Sequence, residues 1–175
     1  MNKTHTSSAN DSGLRSRTTW LALFVVLGAA ETLAAALWVQ HLGNPPCPLC
    51  ILQRMGYLAV LAFALITSAA RLGKMPGIGR GTAALGVLSG LLGLAAAAKH
   101  VWLVWHPGQT CGLDPLAVTI NHWPITHWAP WMFRADGFCA DVPYVFGIAL
   151  PFWSALGFIV LTALLLPALR APASH

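Results

Sequence analysis

Charge is what this sequence has least of. Lysine and arginine number 10 and aspartate and glutamate 5 in 175 residues, so 9% of the chain is charged. A soluble domain carries about 25%. With 57% hydrophobic residues and a mean hydropathy of +0.65, a water-soluble globule is excluded and an integral membrane protein is indicated. The basic residues give a net charge of +5 and a pI near 9.4, but they are scattered singly and form no patch. That excludes a nucleic-acid surface and leaves them as markers of topology. No Lys-Ser or Lys-Thr follows Gly86, Gly90 and Gly93, which excludes a phosphate loop. Those glycines offer a small-residue face for close helix packing instead.

Cysteine is also scarce. There are four, and Cys47-Pro48-Leu49-Cys50 is the one C-x-x-C. Ile51 follows it where haem attachment needs histidine. Cys111 and Cys139 are far apart, whereas structural zinc sites use two close pairs. The spacing of His106, His122 and His127 matches no zinc pattern, so no metal is expected.

What is abundant is long apolar runs. Spans of about 20 apolar residues cross a bilayer, and four are predicted, at about 19–42, 50–72, 81–105 and 143–169. The expected fold is therefore all-α, a single four-helix membrane domain over 19–170 with a long loop, 106–142, between the third and fourth spans. Residues 1–18 read as a disordered basic tail and 171–175 as a second tail. The first run is too long for a signal peptide's apolar region of about 7–15 residues. Pro151 is expected as a kink within the fourth span.

Lys3, Arg15, Arg17, Arg71, Lys74, Arg80 and Arg170 fall on one side of such a bundle, while the opposite loops hold Arg134, with Arg54 and Lys99 near that boundary. By the positive-inside rule both termini are cytoplasmic. Cys47, Cys50, Cys111 and Cys139 then share the other face, which in a bacterial inner membrane is the oxidising periplasm.

Pro48 suits a helix first turn, which puts Cys50 near the N-terminus of the second span, where free N–H groups and the helix dipole favour a thiolate. Arg54, four residues on, shares its face. A guanidinium there either anchors the bundle or stabilises an oxygen gaining electrons. His100 lies near the same boundary on the third span. It is a packing residue or, if the second and third helices adjoin, a partner for a quinone carbonyl. Glu31 falls near the middle of the first span, and a protonated acid bonded to a neighbouring helix is expected. In the loop, Trp123, Trp128, Trp131 and Phe133 predict a segment at the membrane surface with a short helix. The cysteines themselves admit two readings, redox-active pairs or two structural disulfides.

Trp38-x-Gln40-His41, the run Pro46 to Arg54, His100, Cys111, Trp128-x-Pro130, Gly137-Phe138-Cys139-Ala140, Phe146-Gly147 and Pro151-x-Trp153 resemble the disulfide bond formation protein B family, DsbB, over about residues 19–165. The resemblance implies a thiol:quinone oxidoreductase. A periplasmic DsbA-like thiol oxidase would give electrons to a Cys111–Cys139 disulfide, with Cys111 forming the mixed disulfide. Cys139 would exchange with Cys47, and Cys50 would sit against ubiquinone, or menaquinone, with Arg54. Gln53 stands where some members have an acid and Tyr144 where some have Trp; neither touches the thiols. The rival enzyme is a reductase like vitamin K epoxide reductase, whose C-x-x-C lies late in the chain. The non-enzymatic rival is a membrane scaffold or transporter subunit with two static disulfides.

Overall fold

The computed structural model describes residues 4–106 and 115–170. Cys111 and the tail 171–175 lie outside the described residues. Four helices are long and apolar enough to cross a membrane: Ser16–His41, Pro48–Leu72, Pro76–Trp105 and Leu150–Arg170.

The first helix, α1 (Thr4–His41), starts well before the span predicted from Thr19. The described part of the expected disordered tail is thus helical. Extending an existing helix adds a hydrogen bond for each residue fixed, without a new nucleation cost, so a polar flank can follow an apolar helix. In α2 (Pro48–Leu72) Cys47 is the N-cap and Pro48 opens the first turn, where a missing N–H costs nothing. The helix stops at Gly73, and Lys74 turns the chain with φ 57°. Pro76 then begins α3 (Pro76–Trp105), five residues ahead of the predicted start at 81.

The buried face of α3 runs Gly79, Ala83, Gly86, Gly90, Gly93, Ala97, His100, an alternation of four and three that keeps one seam toward the neighbouring helices. Small residues let backbones approach. A Cβ at Gly93 would overlap the ring of Phe158, one at Gly90 the hydroxyl of Thr162, and one at Gly86 the side chain of Leu165. The packing role expected of these glycines is therefore realised most tightly against one helix, and the same seam ends by presenting His100.

That partner is α7 (Leu150–Leu165), which continues through α8 (Pro167–Arg170). It starts seven residues later than the predicted span. Tyr144–Val145 and Ile148–Ala149 form a two-stranded hairpin, β1 and β2, closed by Phe146 at φ 51° and Gly147 at φ 76°. Positive φ at both central residues gives the turn whose twist suits a two-residue hairpin. Pro151, expected as a kink, sits in the first turn of α7, where it breaks no hydrogen bond.

The helices pack in the cyclic order α1, α2, α3, α7, with α7 returning to α1. The core comprises Ala22, Val25 and Ala29 of α1, Tyr57, Val60 and Ala64 of α2, and Phe158, Leu161 and Leu165 of α7. Tyr57 stacks on Phe158 with ring centroids 4.0 Å apart and donates to the carbonyl of Ser154 at 2.8 Å. At one end of the bundle Arg71 donates to the carbonyl of Ala168 and Arg80 to that of Leu169 at 3.1 Å. The cysteines of the described residues lie at the other end.

Between α3 and the hairpin the chain carries three short helices, α4 (Pro115–Asn121), α5 (Pro124–Trp128) and α6 (Pro130–Phe133), where one was expected. Each opens on a proline, which both ends the preceding element and suits a first turn. Ile120, Ala129, Phe133 and Ala135 bury against Ile51 of α2. Asn121 clips the return strand by donating to the carbonyl of Ala135 at 3.1 Å and accepting its N–H at 2.8 Å. Trp128 and Trp131 point outward, the former 86% exposed, as suits amphipathic aromatics at a headgroup layer.

Candidate active site

Because Cys47 caps α2, Cys50 falls one turn in, and its backbone N–H donates to Cys47 Sγ at 3.3 Å. Both are free thiols. The Cys47 S–H donates to Cys50 Sγ across 3.1 Å. Cys47 is buried, and burial, reinforced by its hydrogen bond to Cys50, pushes its thiol far above the ordinary value. Of the two sulfurs, Cys47 therefore keeps its proton and Cys50 accepts the hydrogen bond.

Cys139 is disulfide-bonded and packs beside Cys47, Leu49 and Leu103. Two backbone bonds bring it there: the N–H groups of Asp136 and Gly137 both donate to the carbonyl of Pro46, at 3.1 and 3.0 Å. Gly137 is required at this crossing, since a Cβ would overlap the carbonyl of Pro45. Cys111 lies outside the described residues, so the structure brings three of the four sequence-predicted cysteines together.

His100 is 1% exposed and joins the two cysteine stations. Its Nε2 lies 3.1 Å from the carbonyl of Cys139 and 3.7 Å from Cys47 Sγ, and its Nδ1 lies 3.1 Å from Gln53 Nε2. A carbonyl can only accept, so Nε2 carries the hydrogen, and Nδ1 accepts from the Gln53 amide. Arg54 is likewise 6% exposed. It donates through Nη1 to Gln40 Oε1 at 2.6 Å and to the carbonyl of Met132 at 2.9 Å, and through Nη2 to the carbonyl of Ala36 at 3.1 Å. One guanidinium thus ties α1, α2 and the end of α6 together. Gln40 completes the link by donating to the carbonyl of Trp131 at 2.8 Å.

A cavity of about 880 Å³ adjoins these residues, within the range of about 300–1,000 Å³ typical of ligand sites. Leu33, Trp38, Val142, Leu150 and Trp153 form its apolar wall, while Cys47, Cys50, Gln53, Arg54 and His100 border it on the polar side. Glu31 also lines it. The hydrogen bond to a neighbouring helix expected for Glu31 is not found among the described residues, where Glu31 is exposed.

Three contributors belong to the motifs quoted from the sequence but carry no role there. Gln53 orients His100, Gln40 holds Arg54, and Gly137 lets the Cys139 segment approach. For the glutamines the available signal was an uncharged polar residue in or beside an apolar run, which does not say what it bonds. His106 and His122 turn Nδ1 toward carbonyls in their own helices, those of Trp102 at 2.8 Å and Val118 at 2.7 Å.

The family model described as "Disulfide bond formation protein DsbB" matches residues 16–168. Disulfide bond formation protein B 2 of Burkholderia lata is 36% identical over 159 residues, covering 88% of this chain and 90% of that protein. Disulfide bond formation protein B of Ralstonia nicotianae is 35% identical over 149 residues, covering 84% and 91%. That of Burkholderia thailandensis is 38% identical over 144 residues, covering 79% and 83%. With the match running through all four apolar helices and the segment that carries the cysteines, the chain belongs to the DsbB family of disulfide bond formation proteins.

Proposed function

We propose that the protein is a thiol:quinone oxidoreductase of the bacterial inner membrane. It reoxidises a periplasmic DsbA-like thiol oxidase and delivers the two electrons, through Cys111/Cys139 and then Cys47/Cys50, to ubiquinone or menaquinone. The observation that carries this reading is the place of the free dithiol: it borders a largely apolar cavity of about 880 Å³ on one side and packs against disulfide-bonded Cys139 on the other.

Each transfer is attack of a thiolate on a disulfide sulfur. A partner thiolate attacks Cys111, forming a mixed disulfide and releasing Cys139. The partner's second thiol then resolves it, leaving the partner oxidised and the loop pair reduced. Cys139 attacks Cys47 of a Cys47–Cys50 disulfide and releases Cys50. Cys111 then displaces Cys47, which restores the loop disulfide and leaves two thiols at the cavity. Closing Cys47 and Cys50 again gives up two electrons and two protons.

A quinone bound in the cavity supplies a two-electron, two-proton acceptor. Cys50, Arg54 and His100 are the residues that would hold its head group. Burial of Arg54 away from water strengthens its field, and His100 keeps the Cys139 backbone beside Cys47. The basic end marked by Arg71, Lys74, Arg80 and Arg170 then faces the cytoplasm with both termini, and the cysteines face the periplasm.

The test is turnover. Purified protein given excess reduced DsbA-like partner and a ubiquinone analogue is expected to consume one quinone for each partner molecule oxidised, followed by quinone absorbance. Oxidation that stops once the protein's own disulfides are spent, with quinone unchanged, would refute the reading. The Gly137 crossing adds a second expectation. Gly137→Ala pushes the Cys139 segment away from Pro45, and a displacement of about 1 Å costs a reaction up to about 10²-fold. Transfer from the loop pair to Cys47/Cys50, read by rapid acid quench and thiol alkylation, is expected to slow by at least about tenfold, while partner oxidation by the loop disulfide keeps its rate. An unchanged transfer rate would mean that this contact does not set the approach.

A further inference from the structure

The dithiol and His100 also form a cluster of metal-ligand atoms. Cys47 Sγ, Cys50 Sγ and a ring nitrogen of His100 all lie within 4.8 Å of one another. We propose that the reduced dithiol and His100 constitute a Cys2His site for Zn²⁺, present only while Cys47 and Cys50 are thiols. The ligand set differs from the four-thiolate site that the cysteine spacing excludes, because its third member comes from α3 and is brought in by the fold.

The geometry is close to what zinc needs. With zinc–sulfur bonds of about 2.3 Å and zinc–nitrogen bonds of about 2.0–2.1 Å, tetrahedral ligands lie about 3.8 Å apart for sulfur and sulfur and about 3.6 Å for sulfur and nitrogen. Cys47 Sγ and His100 Nε2 are already 3.7 Å apart. The sulfurs, at 3.1 Å, need to part by about 0.7 Å, a small side-chain rotation at the first turn of α2. Binding replaces two S–H protons with one Zn²⁺, releasing two protons and leaving a neutral metal–dithiolate unit, so little charge is added to a buried place. All three ligands border the cavity, which leaves the fourth position open to an exchangeable ligand.

Gln53 makes the histidine usable. A zinc-bound imidazole coordinates through one nitrogen and donates its other N–H to an acceptor. For Nε2 to bind zinc, the hydrogen must move to Nδ1, and Nε2 must release the carbonyl of Cys139. The Gln53 amide now offers Nε2 to Nδ1; turned over, it presents its oxygen, so this residue serves both tautomers. Oxidation to a Cys47–Cys50 disulfide removes both thiolate ligands and abolishes the site.

The proposal does not rest on quinone chemistry, and its test contains no quinone. The full chain carrying Cys111→Ser and Cys139→Ser, in detergent and without oxygen, is titrated with Zn²⁺ against a chromophoric chelator. The same preparation is titrated after oxidation to the Cys47–Cys50 disulfide. One Zn²⁺ per chain is expected in the reduced protein and none in the oxidised one. Co²⁺ in place of Zn²⁺ is expected to give a thiolate-to-cobalt charge-transfer band. Gln53→Leu is expected to weaken Zn²⁺ about 10–100-fold, and His100→Ala at least as much. Equal binding by both redox forms, no binding by the reduced form, or a Co²⁺ complex without the sulfur band would overturn the site. Undiminished affinity in a folded His100→Ala protein would remove the histidine from it. Since the redox comparison uses one polypeptide, a variant that fails to fold leaves the test standing.

Discussion

Cys50→Ser is expected to lower steady-state quinone reduction by more than about 10³-fold, because a serine hydroxyl neither leaves nor attacks as a thiolate does at neutral pH. The structure separates this loss from general damage. Cys50 is half-buried at the third helical position of α2, and a hydroxyl there is smaller than the thiol and can still take up the hydrogen bond from Cys47. The loop disulfide is left in place. One equivalent of reduced partner per chain should therefore still be oxidised in a single turnover, after which the reaction stops. Quinone absorbance and partner thiol content, recorded on the same sample, give both quantities. Turnover that survives Cys50→Ser would end the proposed relay, and loss of the single equivalent as well would point to a misfolded variant.

Arg54→Ala is expected to have the next largest effect, and in two observables. Its side chain makes three hydrogen bonds, to Gln40, Met132 and Ala36. Charge-assisted bonds of this kind are worth about 1.5–3 kcal/mol each, and removing the donor strands buried acceptors, so a loss of about 3–5 kcal/mol is anticipated. In detergent this appears as a thermal midpoint lower by about 10 °C or more. The cavity also loses a buried cation, so KM for quinone should rise at least about tenfold among the molecules that remain folded. Arg54→Lys keeps the charge but not the planar fork. It should restore KM more fully than it restores the midpoint. If both variants lower the midpoint while KM stays at the wild-type value, Arg54 acts as an anchor alone.

From the sequence Arg54 reads equally as an anchor and as a contributor to a quinone site, and its hydrogen bonds explain why residue order does not separate the two. Its partners are carbonyls of Ala36 and Met132, which any residue type supplies, and an amide 14 positions earlier in the chain. No pattern of residue types announces that a carbonyl will be unpaired and facing a particular guanidinium. His100 presents the same difficulty. Its position near a membrane boundary was readable, but its contacts with Gln53, Cys47 and the Cys139 carbonyl join α2, α3 and the segment after α6.

The hairpin at 144–149 and the helical start at Thr4 show how local signals compete. Apolar content carries the prediction of the fourth span back to Pro143, yet the Phe146-Gly147 turn takes those residues out of the helix, since positive φ at two successive residues cannot be helical. Conversely, the polar composition of residues 4–18 suggests disorder, while continuity with an apolar helix carries the helix through them.

By itself the sequence determined the membrane class, the four spans, the sidedness of the basic residues and the dithiol at a helix start, because each follows from composition, run length or contacts within about one turn. Cys47 and Cys50 needed only Pro48 and the onset of α2 to be placed. The tertiary structure alone decided what surrounds them: the His100 seam ending beside Cys47, the Gly137 crossing that lodges Cys139 there, and the cavity between them and α7. These depend on which faces of distant helices meet, and that is settled by the fit of glycine against Phe158, Thr162 and Leu165, a matter of shape that residue order does not spell out.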